Sequence, residues 1–80
     1  MTSIQTIKAL AKIRAMAASG EAREIRQRHN LSLTEMADAI PAGANTLARW
    51  ELGDRRPRGE SALRWLEVLE SLDAPLVEAS

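Results

Sequence analysis

Ser32-Leu33-Thr34-Glu35 can start a helix, and Pro41 must end it soon afterwards. The Ser32 hydroxyl can accept from the Glu35 amide while the Glu35 carboxylate reaches back to the Ser32 amide, which makes a capping box. Leu31 and Met36 flank it at the positions of a hydrophobic staple. Proline pushes its predecessor, Ile40, out of helical geometry. The helix bounded in this way covers Leu33–Ile40 and turns Met36, Ala37 and Ile40 inward. Pro41-Ala42-Gly43 forms a turn, and a second short helix runs over Ala44–Leu52, burying Leu47 and Trp50 at i, i+3, with Gly53 as the turn residue beyond it. Any fold for this chain must therefore hold two short helices joined by a tight turn. Neither can cover its apolar stripe alone.

The rest of the chain supplies more helices. Eighty residues without a cysteine give one modest core, with no disulfide framework and no zinc–thiolate site to hold it. Alanine, leucine, arginine and glutamate dominate, all good helix formers, while Phe and Tyr are missing and valine occurs only at Val68 and Val77. A first helix is expected over about Ser3–Ala18, with Ile4, Ile7, Leu10, Ala11, Ala15 and Ala18 along one stripe, and Ser19-Gly20 breaks it. A second, Glu21–Arg28, points Ala22 and Ile25 inward and stops at His29-Asn30, where Asn30 tolerates the left-handed conformation. After a basic loop, Asp54–Arg58, a last helix covers about Gly59–Leu72. Ala62, Leu66 and Leu69 form its stripe, flanked by Leu63, Trp65 and Leu72, with Trp65 at the edge. The expected fold is all-α and five-helical: a helical N-terminal extension over 1–18, a domain over 19–73 and a flexible tail over 74–80. The stripe of the extension needs a partner, either its own core or another chain. The N-terminus lacks the basic start and apolar run of a signal peptide, and no stretch is long enough to span a membrane, so the expected location is the cytoplasm.

The formal net charge is zero, but the charge is segregated. Lys8, Lys12, Arg14, Arg23, Arg26 and Arg28 face only Glu21 and Glu24 over residues 1–30, and Arg49, Arg55, Arg56 and Arg58 outnumber Glu51 and Asp54. From Gly59 onward Glu60, Glu67, Glu70, Asp73 and Glu78 outnumber Arg64. Screening acts over about 10 Å, so an acidic tail on the far side does not cancel a basic face. Two short helices around a tight turn are the geometry of a helix-turn-helix, whose second helix enters the major groove of duplex DNA. The exposed face of that helix carries Ala44, Asn45, Ala48 and Arg49. Asn45 and Arg49 lie one turn apart and are the residue types that read adenine and guanine bidentately, while the alanines let the helix sit deep. Arg55, Arg56 and Arg58 are placed for phosphate. Each has a plainer reading: Asn45 as a first-turn residue, Arg49 as a solvated charge, the basic loop as a connector. His29 stands alone. With no cysteine, no paired carboxylates and no glycine-rich phosphate loop, no enzyme, cofactor, metal or small-molecule effector is expected.

The runs Leu31-Ser32-Leu33-Thr34-Glu35-Met36-Ala37-Asp38-Ala39-Ile40 and Arg49-Trp50-Glu51-Leu52-Gly53-Asp54-Arg55-Arg56-Pro57 resemble the Cro/phage-repressor (XRE-type, lambda-repressor-like) helix-turn-helix family. The similarity covers about Glu21–Leu72. It implies a compact five-helix lambda-repressor-like domain of bacterial or phage origin that binds an operator in double-stranded DNA as a small transcriptional regulator, a repressor. It also implies a structural ion pair between Arg26 and Glu51, Trp50 turned into the core, and Gly43 at the recognition-helix cap. Asn45, Thr46 and Arg49 fall at DNA-contacting positions, with Thr34 and Thr46 assigned to phosphate. The chain departs from the family in Leu33 where Gln is usual, in Pro41 where the turn has Gly, and in Ala44 where a polar reader is common. Specificity then leans on DNA shape or on the basic N-terminal segment. A homodimer on an inverted repeat is expected, with Trp65, Leu72 and the tail, or the helix at Ile4–Ala18, at the interface. The competing reading is a protein-interaction module, such as an antitoxin or accessory phage protein on the same fold, and the N-terminal helix keeps it open.

Overall fold

The computed structural model describes residues 3–73; the C-terminal segment expected to be a flexible tail lies outside them. The helices run α1 (Ile4–Ser19), α2 (Glu21–Arg28), α3 (Leu33–Asp38), α4 (Ala44–Leu52) and α5 (Gly59–Leu72), with no strand among the described residues. None of these helices is long and apolar enough to cross a membrane.

Local chemistry accounts for most of the boundaries. The Ser3 hydroxyl accepts from the Thr6 amide at 3.1 Å and starts α1. Gly20, at φ +89°, ends α1 and begins α2. Asn30 closes the end of α2 at φ +57°, the left-handed conformation that asparagine tolerates. The capping box of α3 is formed from both sides: Ser32 Oγ accepts from the Glu35 amide at 3.0 Å, and Glu35 Oε1 accepts from the Ser32 amide at 2.9 Å.

α3 stops at Asp38 rather than continuing to Ile40. The Ala39 amide turns back to the Met36 and Ala37 carbonyls, and Ile40 leaves the helix ahead of the proline while its side chain stays buried. The Ala42 amide then donates to the Ile40 carbonyl at 2.7 Å, closing a three-residue turn centred on Pro41. Gly43 follows at φ +82°, ψ 152° and caps α4. Space around Gly43 is open, so the backbone angle alone demands glycine there. The positive φ that proline cannot supply in this turn is thus provided two residues later.

One cluster of side chains forms the core: Ile13, Met16 and Ala17 of α1, Ala22 and Ile25 of α2, Met36 and Ile40, Leu47 and Trp50 of α4, and Ala62, Trp65, Leu66 and Leu69 of α5. α1 packs against α2, α4 and α5 and adds its own residues to that cluster. Two further expectations are corrected. The expected stripe of α1 has the wrong phase: Ile4 and Ile7 are exposed at 76% and 55%, Ala11, Ala15 and Ala18 are also exposed, and Leu10 is half-buried. Alanines occur all round this helix, so they do not mark a face. The bulky pair Ile13 and Met16 does. Trp65, expected at the edge of its stripe and as a dimer contact, is fully buried. Its ring lies 5.3 Å from that of Trp50, tilted by 30°, and joins α5 to α4.

Candidate nucleic-acid interface

α4 turns Leu47 and Trp50 into the core, which leaves Asn45 and Arg49 exposed and Ala44, Thr46 and Ala48 half-buried on its outer side. Gly53, at φ +84°, then reverses the chain. The amides of Asp54 and Arg55 both return to the Arg49 carbonyl, at 2.9 and 3.3 Å, which lays the basic loop back along the helix it follows. Pro57 is buried and anchors that loop. The Pro57 carbonyl accepts from Arg14 Nε of α1 at 2.7 Å.

This folding brings residues from three parts of the chain into one groove. Arg14, Asn45, Thr46, Arg49, Trp50, Arg55, Arg56 and Arg58 line it. Among the described residues, none of the five arginines of this groove pairs with a carboxylate. Cations elsewhere do pair: Lys12 with Glu70, Arg28 with Asp73, and Arg64 with Glu67. The Glu70 carboxylate holds Lys12 above its ordinary range, first through their hydrogen bond and then through charge. The acidic residues of the C-terminal part are therefore not all remote from the basic segment, as the sequence suggested. Glu70 and Asp73 reach across to Lys12 and Arg28, and the member of the N-terminal segment that lines the groove is Arg14.

An exposed helix face flanked by arginines without carboxylate partners is the kind of surface a helix-turn-helix presents to DNA. The helix-turn-helix family model matches residues 23–74, more than half of the chain. The chain belongs to the helix-turn-helix family. Its type is XRE or lambda-repressor-like, a family of DNA-binding regulators, and α1 precedes the matched segment. No curated protein and no solved structure matches the chain.

The support of the helix-turn-helix lies behind this groove. Arg26 on α2 donates through Nε to Glu51 Oε2 at 2.7 Å and through a terminal nitrogen to Glu51 Oε1 at 2.9 Å, a bidentate pair with α4. Its other terminal nitrogen donates to the Leu31 carbonyl at 2.8 Å, so one guanidinium ties together α2, the entry to α3 and the recognition helix. The side chains are 12% and 5% exposed, and the hydrogen bond to Glu51 holds Arg26 above its ordinary value against the cost of burial. α5 braces the turn: Ser61 Oγ donates to the Pro41 carbonyl at 3.0 Å and Arg64 Nε to the Ala39 carbonyl at 3.2 Å. Leu33, where the family usually has Gln, packs against the core.

The other expected DNA contacts are placed less centrally. Thr34 is exposed on α3 and does not line the groove, and the half-buried Ala44 and Ala48 lie on α4 outside the lining. Sequence reasoning passed over Arg14. In a helix whose alanines mark no face, nothing in the spacing separates Arg14 from Lys8 or Lys12; only the docking of α1 beside the loop does.

Proposed function

We propose that this chain is a sequence-specific double-stranded DNA-binding regulator acting as a repressor, with α4 in the major groove. The observation that supports this best is the groove itself, where the exposed face of α4, with Arg49, meets four further arginines and no described carboxylate neutralises any of the five. Asn45 and Arg49 are the base readers. Ala44 and Ala48 keep the helix surface low enough for close approach, and Thr46, Arg55, Arg56 and Arg58 hold phosphates on the flanking strand, with Thr34 on the neighbouring one. A bidentate contact discriminates by about 1–3 kcal/mol per base, so two readers alone select too short a site. The chain therefore binds as a homodimer on an inverted repeat, its half-sites about 34 Å apart. Trp65 has no part in that interface because it is fully buried. Of the interface residues expected from the sequence, Ile4 and Ile7 on α1 and the half-buried Leu72 remain available among the described residues.

Selection of bound duplexes from a random library tests the whole reading. The expected product is a two-fold symmetric site with adenine and guanine fixed in each half. Recovery of no preferred sequence would remove base reading, and an asymmetric site bound by one chain would remove the dimer.

A further inference from the structure

We infer that Arg14, on the helix that precedes the family match, contacts a DNA backbone phosphate and completes the interface from outside the helix-turn-helix segment. This rests on the DNA-binding reading above and assigns one more residue to it.

Three observations converge on Arg14. A guanidinium carries five N–H donors. Arg14 commits Nε to the Pro57 carbonyl at 2.7 Å, and its terminal nitrogens find no acceptor among the described residues. The side chain lines the groove that holds Asn45, Thr46 and Arg49, and also the adjoining cleft with Ala17, Ala18, Gly53 and Pro57, so it stands where α1 meets the basic loop. It is half-buried beside four further arginines with no described carboxylate near enough to pair, whereas Lys12, on the same helix, has Glu70. A partly desolvated cation among like charges is repelled in the free protein, and a polyanion relieves that repulsion. The tie to Pro57 fixes the guanidinium relative to Arg56 and Arg58, and its open edge is a planar fork suited to two phosphate oxygens. The phosphate it meets lies on the strand that the Arg55–Arg58 loop already follows.

The test is the salt dependence of binding by the full chain to its selected duplex, with active molecules counted by titration. Arg14→Met keeps the aliphatic stem and removes the charge. Arg14→Gln leaves an uncharged donor for the Pro57 carbonyl, and Arg14→Lys keeps the charge. Each phosphate contact adds about 0.9 to the slope of log affinity against log salt. Arg14→Met and Arg14→Gln are expected to lower the slope by about 0.9 per bound protomer without changing the preferred sequence, while Arg14→Lys leaves the slope unchanged. An unaltered slope in the Met and Gln variants overturns the proposal even if affinity falls, because Arg14 then acts only by holding the loop. Arg56→Ala, measured alongside, separates the two readings. A reduced slope for Arg56→Ala with silent Arg14 variants removes Arg14 alone, and a wild-type chain that binds no duplex removes both.

Discussion

Glu51 offers both carboxylate oxygens to Arg26 at a site where the two side chains are 5% and 12% exposed. Removing one member of such a pair strands the other, at a cost of about 3–5 kcal/mol. Glu51→Ala is expected to lose stability on that scale in urea unfolding, and a loss of a few tenths would mean that the guanidinium finds other partners. On the proposed reading Arg49 and Arg56 serve binding rather than folding and should behave differently. Arg49→Ala is expected to cost about 1–3 kcal/mol on the preferred site and little on random duplex. Arg56→Ala should weaken both about equally and flatten the salt dependence. Titrations on the two duplexes at two salt concentrations, with folded variants, separate them; an unchanged specific-to-random ratio for Arg49→Ala would mean that Arg49 does not read bases. Individual residues were legible in the sequence only where their neighbours were fixed by local chemistry. The exposed positions of Asn45 and Arg49 follow from the start of α4. The partnership of Arg26 with Glu51 needed the resemblance, and Arg14 needed the packed structure.

Among the helices, α3 shows how much a short element depends on its first turn. It has six residues and a capping box closed from both sides. The hydrogen bond from the Ser32 amide, with a smaller contribution from the Ser32 side chain, holds the Glu35 carboxyl below the usual carboxylate range. A carboxyl depressed in the folded state stabilises the fold fully above its unfolded value, near pH 4.3, and that contribution disappears as pH falls through the lower folded value. Glu35→Gln keeps an acceptor for the Ser32 amide but does not titrate. Its melting temperature should therefore fall less steeply than wild type below about pH 4.3; parallel curves would show that the capping carboxylate has no part in acid unfolding. Boundaries marked by caps and glycine could be read from the sequence for the same reason, since each rests on a few adjacent atoms, whereas Pro41 marked the end of α3 two residues too late. The inward face of α1 could not. Its alanines fit several faces equally, and Ile4 and Ile7 drew the reading away from Ile13 and Met16.

At the scale of the molecule, α1 ties the structure together: its buried residues enter the same core as the helix-turn-helix, and Arg14 leaves that core to meet the loop beyond the recognition helix. The five-helix architecture was legible because each segment has its own start and stop. The division of the charges was only half legible, since pairing across helices decides which cations remain open. The packing of Trp50 on Trp65 has an optical consequence. These are the only Trp residues, and the chain has neither Tyr nor Phe. The near-ultraviolet signal and the intrinsic fluorescence thus come from one pair of rings, shared between the recognition helix and α5. That signal is expected to vanish together with far-ultraviolet ellipticity on heating, as a single cooperative unit requires. If it faded first, the recognition helix would be undocking on its own. Trp50 also lines the groove proposed to face DNA, so duplex binding should perturb the same emission without any label.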